Sequence, residues 1–376
     1  MQSFEGLRGI MAIAVLNCHA KVLFPVLVET SIWKAFLYTP FSMFVSGGFG
    51  VSYFFVLSSF GLWLNNYEKD WRLIVAGYVK RYFRLIPTLV MSDFVAFVLI
   101  RNGFYYLTPG YFDDTGMIKF NIFMSNSRTV LGMLKDSMWD VFVYGKSNYV
   151  APFWTMKLEM LGGIIAIGIL FIIRNRTYKY KIITLLFAGL IIAFYGNGYY
   201  YSTLAGIILY ETLGYISLRK MHRRKKYSKY WFCVTLMIFW MIVMWAVMPM
   251  NQKVNYANLC GIAWALLMAY LFFDQNSIMC KFLESSPLKI LGKLSFQIYG
   301  LHWGIICSIG CFLVNRGYDI QIGGGIMIYL IVVAVTIILA YAIWQINDVI
   351  QRNLIDRMFA HLGKNIGRRI NNYAEQ

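Results

Sequence analysis

Residues 5–20 read E-G-L-R-G-I-M-A-I-A-V-L-N-C-H-A, an apolar run with Arg8 near its start and His19 near its end. Eleven residues separate the two. On a helix that interval is three turns plus about 20° and a rise of about 16 Å. The two side chains therefore share one face, with the arginine at the rim of a membrane and the imidazole near its middle. An ionisable group at that depth is costly and is a functional candidate by default.

The run is the first of about ten candidate spans, near 7–27, 43–64, 85–101, 153–173, 181–196, 199–217, 231–249, 256–273, 294–314 and 322–345. Each approaches the roughly 20 apolar residues that cross a bilayer core as a helix. The whole chain agrees: 376 residues, 59% apolar and 14% charged, with a mean hydropathy of +0.57. Globular chains are about 45–50% apolar and about 25% charged, so a soluble enzyme, a disordered tail protein and a secreted disulfide scaffold are excluded. Charge at Glu5, Arg8 and Lys21, with no small-x-small site after the run, argues against a cleavable signal peptide.

Net charge is +18. Between these spans, 25 Lys and Arg fall on one side, including seven between residues 219 and 229, against eight on the other. That asymmetry is the positive-inside signature. It places both termini in the cytoplasm and makes the charge topogenic rather than a nucleic-acid surface. The expected architecture is an all-α polytopic bundle in the cell membrane, with a membrane domain over 1–350 and a basic cytoplasmic tail over 351–376. The longest loop, about 102–152, falls outside; it is aromatic-rich and carries Asp113, Asp114, Asp136 and Asp140. Six cysteines show neither C-x-x-C nor metal-ligand spacing, so no metal is expected.

Other polar groups interrupt the apolar segments. Y-V-K-R-Y-F-R-L-I-P (78–87) sets Arg81 and Arg84 three apart, facing one way, as a phosphate grip would require. In F-W-T-M-K-L-E (153–159), Lys157 and Glu159 are two apart and do not pair along one helix. Asp93 and Glu211 likewise need partners or a wet cavity. In L-S-F-Q-I-Y-G-L-H (294–302), Ser295, Tyr299 and His302 line one face, whereas His222 and His361 sit among basic residues.

These segments, taken in order, resemble the acyltransferase-3 family of integral membrane acyltransferases. E-G-L-R-G-I with His19 matches its opening Arg-to-His signature. G-V-S-Y-F-F-V-L-S-S-F (50–60), K-R-Y-F-R-L-I-P (80–87), F-W-T-M-K-L-E and S-F-Q-I-Y-G-L-H match four further family segments. Glu5 stands where the family usually has Asp, Ser52 where many members are acidic, and Ser59 where Gly is usual. The resemblance implies transfer of an acyl group, usually acetyl from cytoplasmic acetyl-CoA, to a saccharide hydroxyl at or beyond the outer face.

On that reading His19 is general base or nucleophile, since imidazole titrates near working pH. Arg8, Arg81 and Arg84 bind the phosphates of acyl-CoA. Glu159, toward the outside, orients or deprotonates the acceptor, and His302 is a second proton carrier or an acceptor hydrogen bonder. The alternative is a polysaccharide or lipid-linked-sugar exporter, because buried ionisable groups also line transport paths; the chain shows no paired half-sequences of the kind common in carriers.

Overall fold

Gly6 and Gly9 on the first helix, α1 (Gln2–Ala20), face Leu283 and Gly292 across a contact too close for side chains. The computed structural model describes residues 2–24, 30–106, 129–218, 235, 237–241, 257–318 and 322–363. A short helix, α2 (Ser31–Leu37), leads to α3 (Gly47–Asn66), which Ser46 caps by accepting from the Phe49 amide. The long α4 (Trp71–Arg101) is capped by Asp70 and carries Pro87 inside it. On the far side of the 107–128 segment lie α5 (Val130–Lys135), α6 (Thr155–Ile173), α7 (Tyr178–Tyr195) and α8 (Tyr199–Leu218). Then come α9 (Ala257–Phe273), α10 (Ile278–Leu283), α11 (Ser286–Ile305) and α12 (Ile322–Ile350).

No strand occurs among the described residues. Among the described residues, five helical stretches are long and apolar enough to cross a membrane: Gly47–Asn66, Trp71–Arg101, Ala151–Ile173, Ser286–Asn315 and Gly323–Gly363. A shorter apolar helix covers Leu259–Phe273. Most of the expected span at 231–249, the basic cluster at 219–229 with His222, and residues 364–376 lie outside the described residues.

Two boundaries differ from the sequence expectation. The segment expected at 85–101 belongs to a helix that starts at Trp71, so Lys80, Arg81 and Arg84 sit well inside it rather than at or before its start. Their charge hid them from an apolar window, although nothing between Asp70 and Pro87 breaks a helix. At the other end, α12 continues past 345 through a wider turn at Gln351–Ile355 to Gly363.

Packing centres on α3, which touches α1, α6, α8 and α9. It runs antiparallel to α1: Gly50 sits on Met11 and Val15, and the Tyr53 hydroxyl donates to the Phe4 carbonyl at 2.7 Å. Indole N–H groups tie it further, Trp63 to the Ala166 carbonyl at 3.0 Å and Trp264 to the Phe49 carbonyl at 2.9 Å. The interior carboxylates find partners. Glu211 pairs with Lys181 at 2.8 Å, which also donates to the Tyr67 hydroxyl, and Asp93 accepts from Ser137 at 2.6 Å.

α1 and α11 lie side by side in the same direction. A Cβ on Gly292 would overlap the Glu5 carbonyl oxygen, a backbone atom with nowhere to go. Small residues of this kind let helix backbones approach closely where no hydrophobic drive operates. Gly292→Ala is expected to lower the unfolding midpoint in detergent, a cost of about 1–3 kcal/mol for overpacking. Gly168→Ala, where a methyl meets nothing within 4 Å, is the control and should be neutral or stabilising.

Candidate functional site

The α1–α11 contact brings two polar pairs together. At one end Arg8 donates through Nε to Ser295 Oγ at 2.6 Å, and its Nη1 lies 3.4 Å from Glu5. At the other, His19 Nδ1 and His302 Nε2 are 2.8 Å apart. Arg8 to His19 is four residues longer than Ser295 to His302, about 6 Å of helical rise, and the long arginine side chain takes up the difference. The two imidazoles are nearly parallel, 16° between planes and 5.0 Å between centroids, and Trp303 meets His19 edge-on at 5.4 Å. His302 is fully buried, whereas His19 is partly exposed.

Hydrogen bonding assigns the protons. His302 Nδ1 is 3.0 Å from the Ile298 carbonyl, which only accepts, so that nitrogen carries the hydrogen. In an uncharged ring its Nε2 is then the acceptor, and His19 Nδ1 must be the donor. The hydrogen on His19 thus sits on Nδ1, leaving Nε2 with its lone pair free. A positioned imidazole with one nitrogen fixed by a partner and the other bare is the arrangement of a general base or nucleophile.

A cavity of about 1490 Å³ opens at the Arg8 end. Seven cationic side chains line it, Arg8, Lys69, Lys80, Arg81, Arg84, Lys289 and Lys293, against the carboxylates Glu5, Glu159 and Asp348. Arg81 is ion-paired with Glu159, which also accepts from Ser58 at 3.0 Å. Arg84 reaches the Gln351 side chain at 3.3 Å, and Lys80 pairs with Asp356 at 2.8 Å. A cleft with this balance attracts polyanions.

The cavity reaches Tyr299 and Thr155 but neither histidine lines it. The Tyr299 hydroxyl donates to the Pro152 carbonyl and lies 2.6 Å from Thr155 Oγ1. His302 is one turn further along α11, its ring 6.0 Å from that of Tyr299. Tyr299 and its partners therefore stand between the basic cavity and the imidazole pair.

The six residues singled out from sequence fall into two groups. His19 and His302 form one; Arg8, Arg81, Arg84 and Glu159 line the other. Glu159, expected to orient or deprotonate the acceptor, pairs with Arg81 on the wall of the basic cavity, because α4 and α6 place the two charges against each other. Sequence reasoning missed the direct contact of the imidazoles; its only trace was that both histidines close a motif headed by a polar residue on the same helix face. Ser58 was missed as well, hidden in the apolar V-L-S-S-F run. Of the four acids in the long 102–152 loop, Asp113 and Asp114 lie outside the described residues. Asp136 is buried, accepting from Ser147 at 3.0 Å and from the Asn148 side chain at 2.7 Å. Burial pushes its carboxyl up to about 6 against the lowering effect of those bonds. No cluster of three or more metal-ligating side chains occurs among the described residues.

A helical membrane protein with a basic inner cavity and a paired imidazole beyond its end is the class that fold and site define. The chain belongs to the acyltransferase-3 family, described as an acyltransferase domain, which matches residues 1–345. It is a membrane acyltransferase. No curated protein and no solved structure matches it significantly.

The tautomer is testable directly. In protein labelled with ¹⁵N-histidine, His19 should show a protonated Nδ1 and a bare Nε2, with its signals assigned by loss in His19→Ala. In His302→Ala the fixed tautomer should give way to a mixture, whereas a wild-type His19 protonated at Nε2 contradicts the assigned network.

Proposed function

We propose that this protein moves an acyl group, most simply acetyl, from cytoplasmic acetyl-CoA to a hydroxyl of a cell-surface or lipid-linked saccharide. The observation that carries this reading is the continuous α1–α11 face, with Arg8 and a cationic cavity at one end and a bare imidazole nitrogen beyond the other. Coenzyme A bears phosphates at one end and a thioester at the far end of a long arm, so its charge distribution suits the same polarity. Family membership favours chemistry over simple sugar export.

In this reading the helices form about ten spans in the cell membrane, with both termini cytoplasmic. The membrane domain is residues 1–350 and the tail 351–376. The basic cavity mouth lies on the side that the Lys and Arg distribution assigns to the cytoplasm. Arg8 and Arg84 hold phosphates, and Glu159 holds Arg81 in place for the same task.

The reaction runs as direct transfer. His19 Nε2 takes the proton from the acceptor hydroxyl as its oxygen attacks the thioester carbonyl carbon. The C–O bond forms, the C–S bond breaks, and the proton passes to the departing thiolate. His302 fixes the His19 ring and, through its bond from Nδ1 to the Ile298 carbonyl, keeps the reacting nitrogen bare. Positioned acid–base groups of this kind contribute about 10²–10⁴-fold in rate.

The test uses purified protein in detergent with acetyl-CoA and a panel of glycans, read as free thiol. Glycan-dependent thiol release is expected from wild type, and His19→Ala should lose it while keeping its unfolding midpoint. Near-normal turnover in that variant removes His19 from the chemistry. Intact mass after exposure to acetyl-CoA without acceptor separates direct transfer, with no added mass, from an acyl-imidazole.

A further inference from the structure

The first turn of α3 opens on two glycines whose backbone N–H groups are left over. Ser46 Oγ accepts from the Phe49 amide and the Ser46 carbonyl from that of Gly50. The Gly47 and Gly48 amides have no acceptor among the described residues. A Cβ on Gly47 would stand 3.1 Å from Cys18 Sγ, the residue before His19, and one on Gly48 would stand 3.0 Å from the Tyr199 hydroxyl. The free amides, Tyr199 and the end of α1 that carries His19 therefore meet at one end of the bundle.

Tyr199 opens α8, and its own amide donates to Asn197 Oδ1 at 3.0 Å. Its ring lies 5.6 Å from that of Trp154 and 5.7 Å from that of Phe55. Phe55 lines the basic cavity, as does Thr155, the neighbour of Trp154. The Tyr199 oxygen is within electrostatic range of both Cys18 and Tyr299. It thus stands where the wall of the basic cavity passes over toward the imidazole pair.

The residue is half-buried and its hydroxyl lies deep without being sealed. That hydroxyl has no hydrogen-bond partner among the described residues, although a phenol buried in a bundle usually finds one. Tyr53, Tyr201, Tyr299 and Tyr329 all do. Tyr200 and Tyr210 also lack one, but they sit elsewhere. Tyr200 turns toward Gly162 on α6, and Tyr210 packs on Trp63 and Tyr67 at the other end of α3.

Two amides and a phenol, all donors, at the positive end of a helix dipole call for an oxygen that carries negative charge. The phosphates of a donor are met by the cations of the cavity. A neutral saccharide hydroxyl has a proton of its own and asks for an acceptor, which this trio does not offer. We propose that Tyr199 is a catalytic residue whose hydroxyl, with the amides of Gly47 and Gly48, forms the oxyanion hole of the acyl transfer. This rests on the acyl-CoA reading above and deepens it. When the acceptor oxygen adds to the thioester carbonyl carbon, the carbonyl electron pair moves onto its oxygen, and that oxyanion receives the hydrogen bonds. On collapse the pair returns, the C–S bond breaks, and the thiolate takes the proton that His19 holds. Donors fixed in place before the charge develops are the strongest source of such stabilisation.

The experiment uses the purified full chain in detergent, with acetyl-CoA and the glycan that supports thiol release. Tyr199→Phe should lower kcat by about 10²–10³-fold, the cost of one oxyanion-hole donor. KM for both substrates, the Kd for CoA and the shape of the pH profile should stay as in wild type, because the interaction exists only in the transition state. The unfolding midpoint should also hold, since no hydrogen bond of the folded protein is lost. Incorporating 3-fluorotyrosine at position 199, which keeps a hydroxyl donor, should retain turnover. Tyr201→Phe, which removes a hydroxyl bonded to the Gly189 carbonyl, should show the opposite pattern, a lower midpoint with kcat unchanged.

Near-normal kcat in Tyr199→Phe overturns the proposal and leaves the phenol to bound water. A raised KM for the glycan with kcat unchanged also overturns it and makes Tyr199 an acceptor contact. So does a fall in kcat that 3-fluorotyrosine shares, because the donor is then not what matters. Wild-type protein that releases no thiol with any glycan defeats the acyl-CoA reading itself. Wild-type turnover beside an unimpaired Tyr199→Phe defeats the oxyanion hole alone.

Discussion

The close approach of α1 and α11 governs everything else in the molecule. Gly9 on α1 meets Leu291 and Gly292 on α11, and Gly6 meets Leu283 at the end of α10 just before it, so the backbones run nearly in contact. That contact sets the register in which Arg8 finds Ser295 and His19 finds His302. Shifting one helix by a residue moves each side chain by about 1.5 Å along the axis and 100° around it, and both polar pairs are lost together. One small-residue seam thus fixes a cation at the cavity wall and a bare imidazole nitrogen beyond its inner end.

The interior polar groups sort by whether they face that cavity. Lys181 bridges Glu211 and Tyr67 away from it, a staple between α7, α8 and the end of α3. Arg81, Glu159 and Ser58 form a comparable set that also lines the cavity, leaving Arg81 held and partly neutralised. A buried pair of this kind adds little stability beyond its desolvation cost. What it supplies is a guanidinium in a fixed place.

Much of this was legible in the sequence, for reasons that particular residues make plain. Hydropathy exposes α3, α6 and α12 because their runs are almost unbroken. It truncates α4 because Lys80, Arg81 and Arg84 lie on a helix that a window reads as a loop. The i, i+4, i+7 spacing of Ser295, Tyr299 and His302 announces a common face, and the structure puts partners on each: Arg8, Thr155 and His19. The Glu159 position was not legible. Its nearest charge in sequence, Lys157, lies off its face, whereas its actual partner is 78 residues upstream on another helix. Packing between helices decides such pairs, and no local pattern encodes it.

Tyr299 bears on how such a molecule avoids two failures at once. A cavity that joined the cationic mouth to a partly exposed histidine would be a water path across the membrane, and a thioester within it would hydrolyse. The hydroxyl of Tyr299, held by the Pro152 carbonyl and by Thr155, stops the cavity one turn short of His302. On the proposed function, excluding water strengthens the electrostatics inside and suppresses side reactions. Donor loading and acyl transfer then require displacement of the same phenol. Its partners are Pro152 in the turn before α6 and Thr155 at the first position of α6, the helix that also carries Glu159 one turn further along. The residues that hold Arg81 and Tyr299, Glu159 and Thr155, thus share one helix, so on the proposed function a grip on the donor's phosphates and the seal above it are mechanically linked.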